Sequence, residues 1–316
     1  MADRWITVFG GSGFIGRYLV QRLAREGWLV RVAVRRPSAA LFLKPLGKIG
    51  QIQPIGANIT DPSSVAAAVA GSEAVVNLVG ILAEGGRRRF QTLHVEGART
   101  VAAAARDAGA SVLVHMSALG ADSASPSAYA RTKAQGELAV RELVPSARIA
   151  RPSVVFGPED AFFNRFAAMA QFAPALPLIG GGATRLQPVY VGDVADALLR
   201  MVEDEGTQGR TYELGGPRIY TFRQLMELML HELGRRRMLV SVPWGLADVV
   251  AGLTELMPGK PLTRDQVRLL RTDNVVSSGA PGLVELGVAP TALEVVLPTY
   301  MDRYRVQGYY TRLGRV

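Results

Sequence analysis

The sequence predicts an α/β protein, a doubly wound parallel sheet followed by a smaller mixed C-terminal part. Three observations carry that prediction. Apolar runs alternate with helical spacing through the first half. A glycine-rich turn, Gly10-Gly11-Ser12-Gly13-Phe14-Ile15-Gly16, joins the first run to the first helix. After about residue 152 the alternation gives way to glycine and proline clusters at Phe156-Gly157-Pro158 and Ile179-Gly180-Gly181-Gly182. In order, strands are expected at 5–9, 28–34, 51–55, 74–79, 111–117 and 146–151, with helices near 14–26, 62–70, 90–109 and 127–143. Later helical patterns lie near 160–173, 192–204 and 221–234, and Gln187-Pro188-Val189-Tyr190-Val191 is expected to return toward the main sheet. The division is placed at residues 1–155 for the sheet domain and 156–316 for a partly interleaved region that caps it or docks a partner.

Composition narrows the function classes. The chain has 316 residues, 48% hydrophobic and 20% charged, enough to bury a sizeable core. Without cysteine it has no disulfides, cysteine-ligated zinc or iron–sulfur clusters. His94, His115 and His231 lack metal-ligand spacing, and no metal is expected; His115 reads as a strand residue. No stretch approaches the length of a membrane-spanning helix, and the start, with Asp3 and Arg4, lacks the apolar segment of a secretory signal. A cytoplasm-like compartment is expected. The net charge of +9 comes from a chain with only four lysines, Lys44, Lys48, Lys133 and Lys260, among 36 basic residues. No nucleic-acid motif accompanies it, so a membrane surface or a protein partner is the better expectation.

The glycine turn follows the apolar run Trp5-Ile6-Thr7-Val8-Phe9 and opens a helix with apolar residues at Phe14, Ile15, Tyr18, Leu19 and Leu23. Strand, glycine turn and helix N-terminus bring free N–H groups and the positive end of the helix dipole onto one point, an anion site. Glycines let the backbone approach a pyrophosphate closely. The fold expected is therefore Rossmann-like, binding a dinucleotide through Gly10, Gly11, Ser12, Gly13, Phe14 and Ile15. An acidic residue after the second strand accepts the 2′-hydroxyl of NAD, whereas arginine accommodates the 2′-phosphate of NADP. Here Arg35-Arg36 stand there, which favours NADPH over NAD(H) against a plain solvated turn.

The glycines at 10, 13 and 16 are spaced as in the short-chain dehydrogenase/reductase superfamily, and the chain resembles its extended and atypical branches. That superfamily uses Tyr-x-x-x-Lys on a helix. Tyr129-Ala130-Arg131-Thr132-Lys133 fits, with Tyr129 implied as proton donor or acceptor and Lys133 as the group that holds the ribose and lowers the tyrosine pKa. Ser117, ending the fifth strand, can hydrogen-bond a substrate oxygen or satisfy the strand end. The resemblance also implies cofactor contacts at Asn58 and Ile59 near adenine, at Leu78, Val79 and Gly80 after the fourth strand, and at Pro152 and Val154.

A narrower resemblance rests on Gly13-Phe14-Ile15-Gly16-Arg17-Tyr18, on YARTKAQGE from Tyr129 to Glu137, on RPSVVFGPEDAFFNRF from Arg151 to Phe166, and on Leu262-Thr263-Arg264-Asp265. Together these are similar to the nucleotide-binding, short-chain-dehydrogenase-like accessory subunit of respiratory complex I, the NADH:ubiquinone oxidoreductase, in its bacterial form. That family implies tightly bound NADPH, partners among the other complex I subunits, and a peripheral position on the cytoplasmic side of the bacterial inner membrane. It implies support of assembly and stability, and it tolerates loss of the tyrosine. The alternative is a free NADP(H)-dependent reductase, epimerase or isomerase using Tyr129, Lys133 and Ser117. The mostly apolar stretch Pro243 to Pro258 fits docking on a partner or on anionic lipid beside Arg264, Arg268 and Arg271, and equally fits a core helix. The runs Arg87-Arg88-Arg89 and Arg235-Arg236-Arg237 read as solvated surface.

Overall fold

The computed structural model describes residues 4–86, 88–257 and 262–305; Asp3, Arg87, Pro258 and Lys260 lie outside them. The chain forms two compact units. One contains the residues up to Pro152 together with Val191–Leu214 and Gly279–Val288; the other contains Ser153–Tyr190, Gly215–Ser278 and the residues from Ala289 onward.

The first unit is built on strands β1 (Trp5–Phe9), β2 (Leu29–Val34), β3 (Ile52–Gly56), β4 (Ala74–Asn77), β5 (Val112–Met116) and β6 (Arg148–Pro152). Helices α1 (Phe14–Arg25), α2 (Pro62–Val69), α3 (Gly97–Asp107) and α4 (Ala128–Leu143) connect them. The seven-stranded sheet runs, edge to edge, Thr211–Leu214, β6, β5, β4, β1, β2, β3, and every pairing in it is parallel. Its central strands β1, β4 and β5 are short, mostly apolar runs buried on both faces, as helices on either side require. Val65, Val75, Val101, Ala102, Leu113 and Ile149 pack one of its cores. The order reverses at β1 and β4, the place where doubly wound sheets hold their ligands.

Helix starts follow local chemistry. Asp61 caps α2 by accepting the Ser63 N–H at 3.1 Å, with Pro62 pre-set for the first turn. Ser127 caps α4 by accepting the Ala130 N–H at 3.3 Å. The segment expected as one helix over 90–109 is a π-helical turn, Gln91–Glu96, running into α3.

The expected return of 187–191 toward the main sheet is made at its last residue, where Val191 opens the stretch Val191–Leu214 of the first unit, but the segment adds no strand to the large sheet. Val189–Tyr190 pairs with Val155–Phe156 in a separate two-stranded ribbon of the second unit, and the chain joins the large sheet at Thr211–Leu214, beside β6. A short apolar run satisfies either pairing, so periodicity does not choose between them.

The second unit has two further ribbons, Ala175–Ile179 with Met238–Val242 and Arg185–Leu186 with Tyr220–Thr221. Helices Phe163–Phe172, Phe222–Leu233 and Leu293–Met301 contribute to a core containing Phe156, Phe163, Phe222, Met226 and Met229. The segment 151–166 has a structural role within it. Asp160 is buried and accepts the Tyr300 hydroxyl at 2.7 Å and the Gly157 N–H at 3.2 Å. Thr263 and Gln266 form a reciprocal capping box that starts helix Arg264–Leu269. Helix Trp244–Thr254 buries Ala247 and Ala251 but leaves Leu246, Val249, Val250 and Leu253 exposed, so it is not a core helix.

Candidate nucleotide-binding site

The glycine turn is held by its own backbone. Gly10, at φ +77°, donates its N–H to the Ala33 carbonyl at 3.2 Å, and the Gly13 N–H donates to the Gly10 carbonyl at 2.9 Å. Only glycine takes that φ without strain. A Cβ on Gly16 would lie 2.5 Å from the Gly10 oxygen and 2.6 Å from the Gly11 Cα, so α1 closes onto the turn only without a side chain there. Gly10 abuts Leu78 and Val79 after β4. Whereas α2 and α4 carry side-chain caps, α1 begins at Gly13 with no side-chain cap and no acidic residue in its first turn. Its positive end is uncompensated, as an anion site requires.

The remaining expected contacts fall along the C-terminal ends of the same strands. Arg35 and Arg36 follow β2, exposed, and among the described residues their guanidinium groups have no protein partner. Asn58 follows β3, exposed, with its Oδ1 accepting the Thr60 N–H at 3.3 Å. Ile59 is buried in the core against Gly97. Leu78 and Val79 are half-buried and Gly80 is exposed. Pro152 ends β6, and its carbonyl accepts the Leu119 N–H at 2.9 Å. Val154 is half-buried in the second unit, where it packs against that unit's core.

Tyr129, Lys133 and Ser117 come together at the ends of α4 and β5. The buried Lys133 donates from Nζ to the Met116 carbonyl at 3.1 Å, and a Cβ on Gly80 would lie 3.2 Å from that nitrogen. Burial pulls the Lys133 ammonium down to about 8, opposed by Glu137. Tyr129 faces the ammonium, 6.0 Å from its ring centroid. Burial raises the Tyr129 phenol to about 12. Ser117 donates its backbone N–H to the Ala150 carbonyl at 2.7 Å, but its hydroxyl is buried with no hydrogen-bond partner. It does not satisfy the strand end. A buried hydroxyl left unpaired is costly, so this oxygen has hydrogen-bonding capacity that the described residues do not fill.

Two further residues of this cluster escaped the sequence reading. His94, on the π-helical turn, accepts the Ile81 N–H through Nε2 at 3.1 Å, which places its proton on Nδ1, 3.1 Å from Thr132 Oγ1. Phe90 stacks on its ring at 5.2 Å and Tyr129 meets it edge-on at 5.4 Å. Burial, then Lys133 and His115, push its pKa down to about 3. Asn77 donates from Nδ2 to His115 Nδ1 at 3.3 Å and accepts the Val79 N–H through Oδ1 at 3.1 Å. Metal-ligand spacing gives no sign of these roles: His94 holds the backbone at Ile81, and His115 holds the Asn77 amide, which in turn holds the Val79 N–H.

An uncapped glycine turn on a parallel sheet, a Tyr-x-x-x-Lys pair and an unpartnered serine hydroxyl all fit a nicotinamide dinucleotide, and they define the short-chain dehydrogenase/reductase class. Residues 6–215 match the NAD dependent epimerase/dehydratase family, and the chain belongs to it, within the extended branch of that class. Over 314 residues it is 36% identical to the mitochondrial NADH dehydrogenase (ubiquinone) 1 alpha subcomplex subunit 9 of Arabidopsis thaliana, covering 96% of this chain and 78% of that protein. It is also 31% identical over 245 residues to a ceramide reductase of Caulobacter vibrioides, covering 75% of this chain and 73% of that protein. The dTDP-glucose 4,6-dehydratase DesIV from Streptomyces venezuelae, solved with NAD and TYD bound, shares the fold, with a TM-score of 0.71, 23% identity and 98% of each chain covered.

Proposed function

We propose that this chain is an NADPH-binding accessory subunit of an NADH:ubiquinone oxidoreductase, which stabilises or helps assemble the peripheral arm near the membrane and holds its nucleotide as a structural element without turnover. One observation carries the reading: the likeness to the Arabidopsis subunit spans 96% of the chain, continuing past residue 215, where the family match stops. The exposed apolar residues of helix Trp244–Thr254 support it, since such a face is ordinarily covered by a partner. Among the described residues no helix is long and apolar enough to cross a membrane, which suits a peripheral subunit.

Residue roles follow from position. The Gly10–Ile15 turn takes the pyrophosphate, Arg35 and Arg36 the 2′-phosphate, Asn58 the adenine side, and Leu78 to Gly80 the far end. Lys133 donates to ribose hydroxyls, and the unpartnered Ser117 Oγ–H donates to a ligand oxygen. When bound, the nicotinamide supplies hydride chemistry; the chain itself supplies the Tyr129 hydroxyl, a proton held in a desolvated site. The test is purification of the respiratory complex from the source membrane. The chain is expected in it in stoichiometric amount, with NADPH retained through dilution; a complex free of this chain overturns the reading.

A second reading, a turnover enzyme acting as an NADP(H)-dependent reductase, is favoured by the assembled Ser117, Tyr129 and Lys133 and by the likeness to the ceramide reductase. In that case Tyr129→Phe abolishes NADPH-dependent carbonyl reduction while the thermal midpoint holds, and the wild-type protein exchanges its nucleotide freely.

A further inference from the structure

We infer that the second unit carries a binding site for a phosphate ester, in the open groove of about 490 Å³ beside the C-terminal end of helix Phe222–Leu233. Its cationic wall is Arg235, Arg236 and Arg237, with His231 next to them. Gly234, at φ +61°, ends the helix and turns the three arginines out in succession.

The arginines are not there to neutralise the helix end. The Leu230 and His231 carbonyls already accept the Arg235 and Gly234 N–H groups at 3.1 and 3.0 Å. Nor are they paired with acids. Among the described residues none of the three forms an ion pair, whereas Arg22, Arg99, Arg151, Arg185, Arg271 and Arg305 all do. The one carboxylate on the groove wall, Glu227, lies 4.0 Å from Arg223, so three guanidiniums stand against a single acid that has its own cation.

Two of these guanidiniums are held in place by backbone carbonyls. Arg235 donates from Nε to the Tyr304 carbonyl at 3.0 Å. Arg237 donates from Nε to the Ala170 carbonyl at 2.9 Å and from Nη1 to the Arg236 carbonyl at 3.2 Å. Both Nη groups of Arg235, Nη2 of Arg237 and the whole exposed head of Arg236 remain for a ligand. Anchored forks of this kind lose little freedom on binding and match the oxygens of a phosphate. Pro174, Leu230 and Leu239 form an apolar wall. The groove is of the size that takes a small organic ligand and exceeds what inorganic phosphate fills. The chemistry is therefore that of a phosphate attached to an organic group, whether a soluble metabolite or a lipid headgroup.

Titration of the full chain with glycerol 3-phosphate by calorimetry, beside co-sedimentation with phosphatidylcholine vesicles with and without phosphatidylglycerol, tests this. Binding of glycerol 3-phosphate supports the site with a soluble ester. Binding only to vesicles containing phosphatidylglycerol supports it with a headgroup. In either case Arg236→Gln, at a side chain that bonds nothing among the described residues, is expected to weaken binding at least about tenfold at unchanged thermal midpoint. Binding of neither probe, or binding that Arg236→Gln leaves intact, overturns the inference.

Discussion

His94 and Ile81 are joined by a hydrogen bond from the Ile81 backbone N–H to Nε2 of the imidazole, at 3.1 Å. The bond needs a neutral ring, and the ring is buried. With His115 it makes a pair of histidines whose pKa values fall from 6.5 to about 3 on folding. Below pH 6.5 the unfolded chain therefore takes up protons that the folded chain refuses. Stability from this pair is complete above pH 6.5 and declines as pH falls toward 3, by about 1.4 kcal/mol per pH unit for each ring. Denaturant melts between pH 7 and 4.5, above the ordinary carboxylate range, are expected to show the decline, and His115→Gln to reduce its slope by about half.

Lys133 is a buried cation with one carbonyl partner, the Met116 oxygen. Lys133→Met removes a desolvated charge and keeps the packing, so the nucleotide-free protein is expected to melt at a higher temperature. The same change is expected to lower nucleotide affinity by roughly tenfold or more. Because burial holds Lys133 at about 8, affinity in the wild type is expected to fall as pH rises through 8 and its charge is lost. Scanning fluorimetry and a fluorescence titration with NADPH read the two effects separately, and a pH-independent affinity between 7 and 9.5 would speak against this role.

Gly16→Ala places a methyl group 2.5 Å from the Gly10 oxygen. The turn must open or α1 must move, at a cost of about 1–3 kcal/mol. Chemical denaturation is expected to show that loss, with nucleotide content of the purified protein falling with it. Gly27→Ala is the contrasting control. Nothing lies within 4 Å of its Cβ, but its φ of +87° still strains a side chain, so a stability loss without nucleotide loss is expected there.

Arg35→Ser with Arg36→Ser removes two exposed guanidiniums without breaking a hydrogen bond or ion pair among the described residues. NADPH affinity is expected to drop at least about tenfold while NADH affinity stays within about twofold. Equal loss for both nucleotides would assign the arginines no part in reading the 2′ position.

Much of the sheet was legible in the sequence because its strands are largely apolar runs that alternate with helical spacing. The glycine turn was legible because it joins the first such run to the first helix. Thr211–Leu214 was not, because its buried Glu213 breaks the apolar run; its carboxylate lies 3.6 Å from Arg151, which also binds Glu137 at 2.7 Å. Such a charge is tolerated only by a partner brought from elsewhere in the chain, and local pattern carries no trace of it. Ser117, Tyr129 and Lys133 were visible as residues, but the anchoring of Lys133 on the Met116 carbonyl, next to Ser117 in the chain, was not. The role of His94 depends on a π-helical turn, which a 3.6-residue period does not foretell.

The strand Thr211–Leu214 is made after the chain has already run through 153–190 of the other unit. During synthesis, β6 therefore emerges with its outer row of N–H and C=O groups bare, and it stays so until some sixty further residues have left the ribosome. Truncation after residue 155 makes that interval permanent. Such a fragment keeps the glycine turn and the Tyr-Lys pair yet presents an open parallel edge, and its fate is set by what adheres to that edge before any nucleotide arrives.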